Sequence, residues 1–363
     1  MKVRLNKTTL LNGIQTVQNV IISKVSLPIL ANVLIETQQD VLKLTATDLD
    51  IGITCAIPVD IQEVGAVTVP AKRFSDIIKE LPGESVQIAT KKNNQVSIEA
   101  DQCQFRVMGL SKEEFPRLPE FKDKEVVKLD QGELREMLRL TSFSVSVDES
   151  RYILNGVLFK IGKNTITLVA TDGKRLAVAE KKITTGSNKD INIIIPIKTV
   201  HELNRNLKED GELSLVLGSN QALFELGNVT VISRLIEGEF PDYKQVIPPP
   251  TENKMRVNRE GFLLSVKRAA LLSTPDYQAV KLEVFKNKLV VSKSTPDIGE
   301  SREEMQINYQ GKELIIGFNP AFLADVLKNL NEESVDVELT DSEKPGVIRI
   351  NGYTYIVLPM RLS

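Results

Sequence analysis

The chain has 363 residues, 42% of them hydrophobic, and its 46 Lys and Arg against 48 Asp and Glu leave a net charge of −2. That length favours two or three domains over one, no run of about 18 apolar residues offers a membrane span, and the near-neutral balance gives no hint of a nucleic-acid partner. With only Cys55 and Cys103 and no charged-then-apolar leader, the expected setting is a reducing cytoplasm rather than a disulfide-framed secreted protein.

Along the chain, apolar residues at helical spacing predict a helix over 6–21, followed by strand-like alternation over 41–53. A second helix is predicted over 71–81, then strands over 96–107 after the turn signal Asn93-Asn94. The same order returns: a helix over 131–145, strands over 165–178, a helix over 197–207, and strands over 213–233 broken at Ser219-Asn220 and Gly227-Asn228. It returns once more with a helix over 259–273, strands over 280–292, a helix over 320–330 and strands over 335–358 broken at Asn351-Gly352. Local identities keep step with this order. LTATD at 44–48 recurs as LVATD at 168–172, 124 residues on; Phe115-Pro116 recurs as Phe240-Pro241; Leu34, Leu158 and Leu282 correspond, as do Thr47, Thr171 and Thr295. A fixed period with a repeated order of elements is the signature of a repeat architecture. The expected class is α+β: three repeated domains of antiparallel sheet with two helices each. Proline-bearing connectors, PRLPEFKDK and PDYKQVIPPPTENK, put the boundaries near 125 and 252, giving domains 1–125, 126–252 and 253–363.

Catalysis finds little support. The single histidine, His201, has no nucleophile suggested beside it, Cys55 and Cys103 are too far apart in sequence for a zinc knuckle, and the segment 156–163 fails as a phosphate loop and reads as strand and turn. Asp48 and Asp172 invite a hydrolase reading, yet their repeated strand-turn context favours a turn role. Cys55 and Cys103 read as buried small hydrophobes. Charge placement says more. No Asp or Glu occurs in 1–35, which carries Lys2, Arg4, Lys7 and Lys24. In 197–207, Val200, Leu203 and Leu207 form an apolar stripe while Lys198, His201, Arg205 and Lys208 lie on another face; Arg135 and Arg139 repeat the pattern, and Lys267 and Arg268 share another helix. Such faces are either merely solvated or aimed at phosphates.

The motifs RYILNGVLF (151–159), VATDGKRLA (169–177), EGEFPDYKQVIP (237–248) and YIVLPMRL (355–362) closely resemble those of the bacterial DNA polymerase III beta subunits, the sliding clamps, and the likeness runs the length of the chain. The resemblance implies a DNA clamp fold closed into a ring as a head-to-tail homodimer, helices inside and sheets outside, with no catalytic site, cofactor or metal. It implies duplex DNA bound without sequence preference, a clamp loader ATPase, and a replicative polymerase and repair proteins docking through short peptides of the Gln-Leu-x-Leu-Phe type. The candidates to face DNA are Lys24, Arg73, Lys198, Arg205, Lys267 and Arg268, of which Lys24, Arg73, Lys198 and Arg205 match the family pattern better than the other two. By the same resemblance, one side of a partner pocket is formed by Arg151, Leu154, Thr171, Gly173, Lys174, Arg175, Leu176, Pro241 and Val246, the other by Val357, Leu358, Pro359, Met360 and Arg361. Phe105 and Val107 would meet Leu271 and Leu272 across the dimer joint, with Glu300, Glu303 and Glu304 at its rim. The chain departs from the family at Val147 and Asp148, where histidine and glutamine are frequent, and at Lys174, which replaces a frequent histidine. Two rival readings are a hydrolase built on Asp48 or Asp172, and a peptide-binding scaffold that never encircles DNA.

Overall fold

A computed structural model describes residues 1–21, 27–121, 126–183 and 190–362. Among them lie six α-helices: α1 Lys7–Gln18, α2 Ala71–Glu80, α3 Gln131–Thr141, α4 Ile197–Asn206, α5 Arg259–Ala270 and α6 Pro320–Asn329. Each expected helix is present and ends one to four residues earlier than its apolar pattern.

The first helix of every repeat starts the same way. Asn6, Asp130 and Asn258 precede α1, α3 and α5, and their side-chain oxygens accept from Thr9 N (3.1 Å), Glu133 N (2.8 Å) and Gly261 N (2.8 Å). Each satisfies a helical N–H that has no partner within its own helix. The next residue carries a second repeated device. Lys7, Gln131 and Arg259 donate their backbone N–H to Glu84 O (2.8 Å), Gly211 O (2.8 Å) and Glu333 O (2.9 Å), just beyond the second helix of the same repeat. Their side chains go there too. Lys7 Nζ reaches Leu81 O, Gln131 Oε1 accepts from Lys208 N at 3.1 Å, and Arg259 Nη1 donates to Leu327 O at 3.0 Å. Lys7 and Arg259 thereby also set positive charge against the negative end of a helix dipole.

Four antiparallel sheets carry these helices, and the strands pack into two compact units. One unit comprises Met1–Arg135 with Lys198–Leu235; the other comprises the rest of the described chain. The first unit has a five-stranded sheet, in order Asp60–Glu63, Lys2–Asn6, Ser85–Thr90, Gln95–Ala100 and Cys103–Met108. Its eight-stranded sheet joins two repeats: Val229–Arg234 pairs with Ile51–Pro58, Val231 facing Ile53. In the second unit, Arg175–Lys182 pairs with Tyr353–Val357, Leu176 facing Ile356, in another eight-stranded sheet. A four-stranded sheet there runs Gly299–Gln306, Lys288–Thr295, Val280–Phe285, Leu314–Phe318. The middle repeat therefore divides its strands between two sheets, and the sheets rather than the repeats define the compact units.

The expected turn signals fall between strands, at Asn93-Asn94, Ser219-Asn220, Gly227-Asn228 and Asn351-Gly352. The segment 41–53 belongs to a hairpin of Val41–Thr47 and Ile51–Pro58, and 156–163 opens as the strand Gly156–Ile161. Leu10, Ile14 and Val17 of α1 and Phe74 and Ile78 of α2 are fully buried. Cys55 is buried, which raises its thiol pKa above the usual range, while Cys103 is only half-buried. No helix of the described residues is long and apolar enough to cross a membrane.

Candidate binding surfaces

The repeated Thr-Asp pair builds a turn. Asp48 Oδ1 accepts from Asp50 N (3.0 Å) and Ile51 N (2.8 Å), and Asp172 Oδ1 accepts from Lys174 N (2.8 Å) and Arg175 N (3.0 Å). The threonine ahead of each closes the same loop: Thr47 Oγ1 donates to Ile51 O at 2.9 Å, and Thr171 Oγ1 to Arg175 O at 2.6 Å. Leu49 and Gly173, both at positive φ, occupy the equivalent bend. Each carboxylate spends one oxygen on its own backbone, as an Asx-turn requires. Among the described residues no cluster of His, Cys, Asp and Glu could hold a metal ion. In the third repeat Thr295 Oγ1 instead donates to Leu272 O at 2.6 Å, and Pro296 stands where an aspartate would.

The pocket residues all lie in the second unit. Leu158, Val169, Leu176, Ile194, Val347 and Ile356 form a buried cluster on one face of the eight-stranded sheet, with Ile153, Phe240, Tyr243 and Ile247 packed against it. Leu176, 3% exposed, is a floor residue of this cluster rather than an open well, because it faces Ile356 across a paired strand. Val357 is likewise buried. The accessible apolar surface comes from Val246, 59% exposed, and Leu358, also exposed, with Leu154, Pro359 and Met360 half-buried. Pro241, Lys174 and Arg361 are exposed. The C-terminal segment is tied down at two points: Leu358 N donates to Lys174 O at 2.9 Å and Met360 N to Gly317 O at 2.8 Å. Arg151 Nη1 donates to Asp172 O at 3.2 Å and lies against the open side of Gly173, whose positive φ favours glycine although Leu49 takes the same conformation at the first turn.

One expected pocket residue points elsewhere. Arg175 precedes Leu176 in a strand, so their side chains take opposite faces. Its guanidinium turns to α6, where Nη1 lies 2.6 Å from Asp325 Oδ2 and the group stacks over Phe322 at 4.4 Å, leaving the side chain 10% exposed. The sequence reading also missed contributors. Val347 and Ile356 complete the floor, and period-two alternation through Leu176 and Val178 was the signal available for such a face. Asn155, with its amide turned to suit its surroundings, donates to the carbonyls of Ser146, Asp148 and Arg151 at 3.1, 3.0 and 3.2 Å, holding the loop that delivers Arg151 and Leu154.

The cationic residues divide into paired and unpaired. Lys198 Nζ bonds Asp48 Oδ2, Arg205 Nη1 bonds the buried Glu202, and Arg268 Nε donates to Glu303 Oε2 at 2.9 Å. The last contact joins a residue expected at DNA to one expected at the dimer rim, so both are at least partly engaged within one chain. Arg73 and Lys267 are exposed, with no carboxylate partner among the described residues. Lys24 lies outside the described residues. His201 has its pKa lowered by burial and by Arg205, so it adds little charge to its face at neutral pH.

The dimer candidates sit near open edges. Cys103–Met108 is the outer strand of the five-stranded sheet and carries exposed Phe105, while the Val107 side chain is buried within its own unit. Gly299–Gln306 is the outer strand of the four-stranded sheet, with Glu300 and Glu304 exposed and Glu303 half-buried. Leu271 is 82% exposed and Leu272 half-buried at the end of α5. Val147, where the sequence departs from the family pattern, is exposed.

Comparison with known proteins gives one family throughout. Three models match in order: the N-terminal domain of the DNA polymerase III beta subunit over residues 1–119, its central domain over 128–242 and its C-terminal domain over 244–361. The beta sliding clamp of Chlamydia muridarum is 35% identical over 363 residues, covering 100% of this chain and 99% of the relative; that of Pseudomonas putida is 32% identical with both chains fully covered. Among solved structures, the DNA polymerase sliding clamp from Bacillus subtilis superposes with a TM-score of 0.94 at 30% identity. A clamp from Pseudomonas aeruginosa bound to griselimycin gives 0.95 at 32%, and both structures cover the full length of each chain.

Proposed function

Because the chain belongs to the DNA polymerase III beta-subunit family, the three-domain sliding clamps of DNA replication, we propose that two copies close head to tail into a ring around duplex DNA. The family is a processivity factor of the polymerase and not itself a catalyst. The proposed domains are 1–125, 126–252 and 253–363, and the proposed place of work is the cytoplasm.

The observation that carries ring closure is the pair of open sheet edges, Cys103–Met108 in one unit and Gly299–Gln306 in the other. An unpaired edge is a template for another strand. Joining the first edge of one copy to the second edge of its partner satisfies both, and exposed Arg106 would meet Glu300 and Glu304 there. Phe105, Leu271 and Leu272 supply the apolar part of the joint. Inside the ring, Arg73 and Lys267, which have no carboxylate partner among the described residues, offer charge to phosphates; Lys24, Lys198, Arg205 and Arg268 contribute to the general field. Contacts to phosphate alone carry no sequence information and permit sliding.

On the outer surface, Leu154, Val246, Leu358 and Met360 with the Leu176 floor form the proposed pocket for short peptides of the polymerase, the clamp loader and repair proteins. Thr171, Gly173 and Lys174 with Arg151 and Arg361 frame it with polar groups. An apolar well with a polar frame suits peptide anchors, and a flexible thioether adapts to several of them. Tethering the polymerase to a ring raises its effective concentration at the primer end without new polymerase–DNA contacts.

The experiment is retention after loading. On closed circular DNA the protein should persist in high salt, whereas on the same DNA linearised it should slide off; a groove binder loses affinity with salt on both. Equal loss from the two templates would remove the ring.

A further inference from the structure

Both inter-repeat joints tie the Thr-Asp turn to the second helix of the following repeat, with opposite polarity. At the first joint α4 supplies the cation, and Lys198 bonds Asp48 directly. At the second joint α6 supplies a carboxylate, Asp325, and Arg175 is inserted between it and Asp172: Nε to Asp172 Oδ2 is 3.0 Å, Nη1 to Asp325 Oδ2 is 2.6 Å. The residue equivalent to Arg175 in the first repeat is Ile51, so this bridge belongs to the joint that carries the pocket.

The bridge leads to the pocket in few steps. Asp172 holds Arg175 with Oδ2 and the backbone of Lys174 and Arg175 with Oδ1, so one carboxylate serves both the bridge and the loop. Lys174 O in turn accepts from Leu358 N. Arg175 is desolvated and packed, stacked on Phe322 and 5.7 Å from the Phe143 ring, so it has little water to replace a lost partner. Tyr355, which precedes the floor residue Ile356, donates from its hydroxyl to Phe322 O at 2.8 Å and fixes the same end of α6.

We propose that Asp325 on α6 is a positioning residue for the peptide pocket, acting through Arg175 and Asp172 on the Gly173-Lys174 loop and on Leu358. The inference rests on the pocket reading given above. Without Asp325 the guanidinium keeps Asp172 as its only carboxylate, beside the Tyr355 hydroxyl and the Phe322 ring, and the loop loses part of the support that presents its backbone to a ligand.

The test measures binding of a fluorescent Gln-Leu-x-Leu-Phe peptide to the full chain by anisotropy, with thermal unfolding recorded for every variant. Asp325→Asn should weaken binding roughly three- to tenfold, a range typical of residues that couple without touching ligand. Arg175→Lys should do the same, the double variant should be no worse than either single one, and Asp325→Glu should recover part of the loss. Asp336→Asn, which removes the exposed Arg256–Asp336 pair at 3.8 Å, should leave peptide binding unchanged. A purely structural role predicts lower thermal stability with wild-type affinity, and that result for Asp325→Asn overturns the proposal; so do additive losses in the double variant. If Asp325→Asn does not fold, Arg175→Lys and Asp325→Glu are judged by the same criterion. Met360→Ala separates the two levels. Weak binding there with normal binding in Asp325→Asn leaves the pocket standing and removes Asp325, whereas normal binding in Met360→Ala overturns the pocket and this inference with it.

Discussion

Glu202 is 3% exposed on α4, and burial raises its pKa, opposed in part by Arg205, Lys198 and Asn19. A carboxyl whose folded pKa is raised favours the fold while protonated, fully so below the ordinary glutamate value of about 4.3, and that contribution is lost as pH rises through the raised value. Glu202→Gln should therefore raise thermal stability at pH 7, by roughly 1 kcal/mol, with the gain gone near pH 4. Unfolding scans at the two pH values decide it, and an equal gain at both would mean that ionisation is not the cause. At this scale the sequence was legible where chemistry is local. The turn role of Asp48 and Asp172 followed from a tetrad of neighbours. Lys198 was not, because its partner Asp48 lies 150 residues away and no helical pattern announces it. The depth of Leu176 and the turning of Arg175 to α6 were equally hidden, since both depend on which sheet face is covered. Leu176→Ala therefore reports core loss of about 2 to 5 kcal/mol as much as peptide binding.

Helices were the most legible elements, with all six at their expected places, because their apolar spacing spans several turns. Their ends come earlier than the apolar pattern: Leu81, Leu207 and Leu330 sit just past the last helical turn and are buried there. The opening strands Lys2–Asn6, Val126–Asp130 and Lys254–Asn258 are not announced by the sequence, although each places two apolar residues at alternate positions ahead of a capping Asn or Asp. Five residues give too short a period to stand out beside a helix. The caps themselves are testable. Asn258→Ala should cost about 1 kcal/mol of stability, measured by denaturant unfolding of the full chain. An unchanged midpoint would mean that the Gly261 N–H finds another partner.

For the molecule as a whole, the α+β class and threefold order were readable from one recurring motif and the sequence of elements. The ring was reached only through the resemblance of four motifs to the sliding clamps, since no local pattern marks Cys103–Met108 and Gly299–Gln306 as outer strands. Leu272→Ala should weaken the dimer without unfolding the chain, because Leu272 is only half-buried in the protomer. Light scattering across a dilution series should show the variant dissociating at roughly tenfold higher concentration, a loss typical of truncating an interface anchor. Equal dissociation of both proteins would take Leu272 out of the joint. Rim pairs matter less: exposed ion pairs contribute about 0 to 1 kcal/mol, and Glu303 already has Arg268 within its own chain.

The division of the middle repeat between two sheets also constrains how such a chain is inherited and engineered. Copying a gene segment three times yields three similar sequences, but it does not yield three interchangeable parts. Excising the first repeat would strip the strand Ile51–Pro58 of its neighbour Val229–Arg234, and excising the third would strip Tyr353–Val357 of Arg175–Lys182. Each cut would lay bare a row of amide and carbonyl groups together with the apolar side chains beside them, a surface prone to aggregation. A chimera built from two relatives should therefore exchange whole sheets, with crossovers inside the middle repeat, rather than whole repeats.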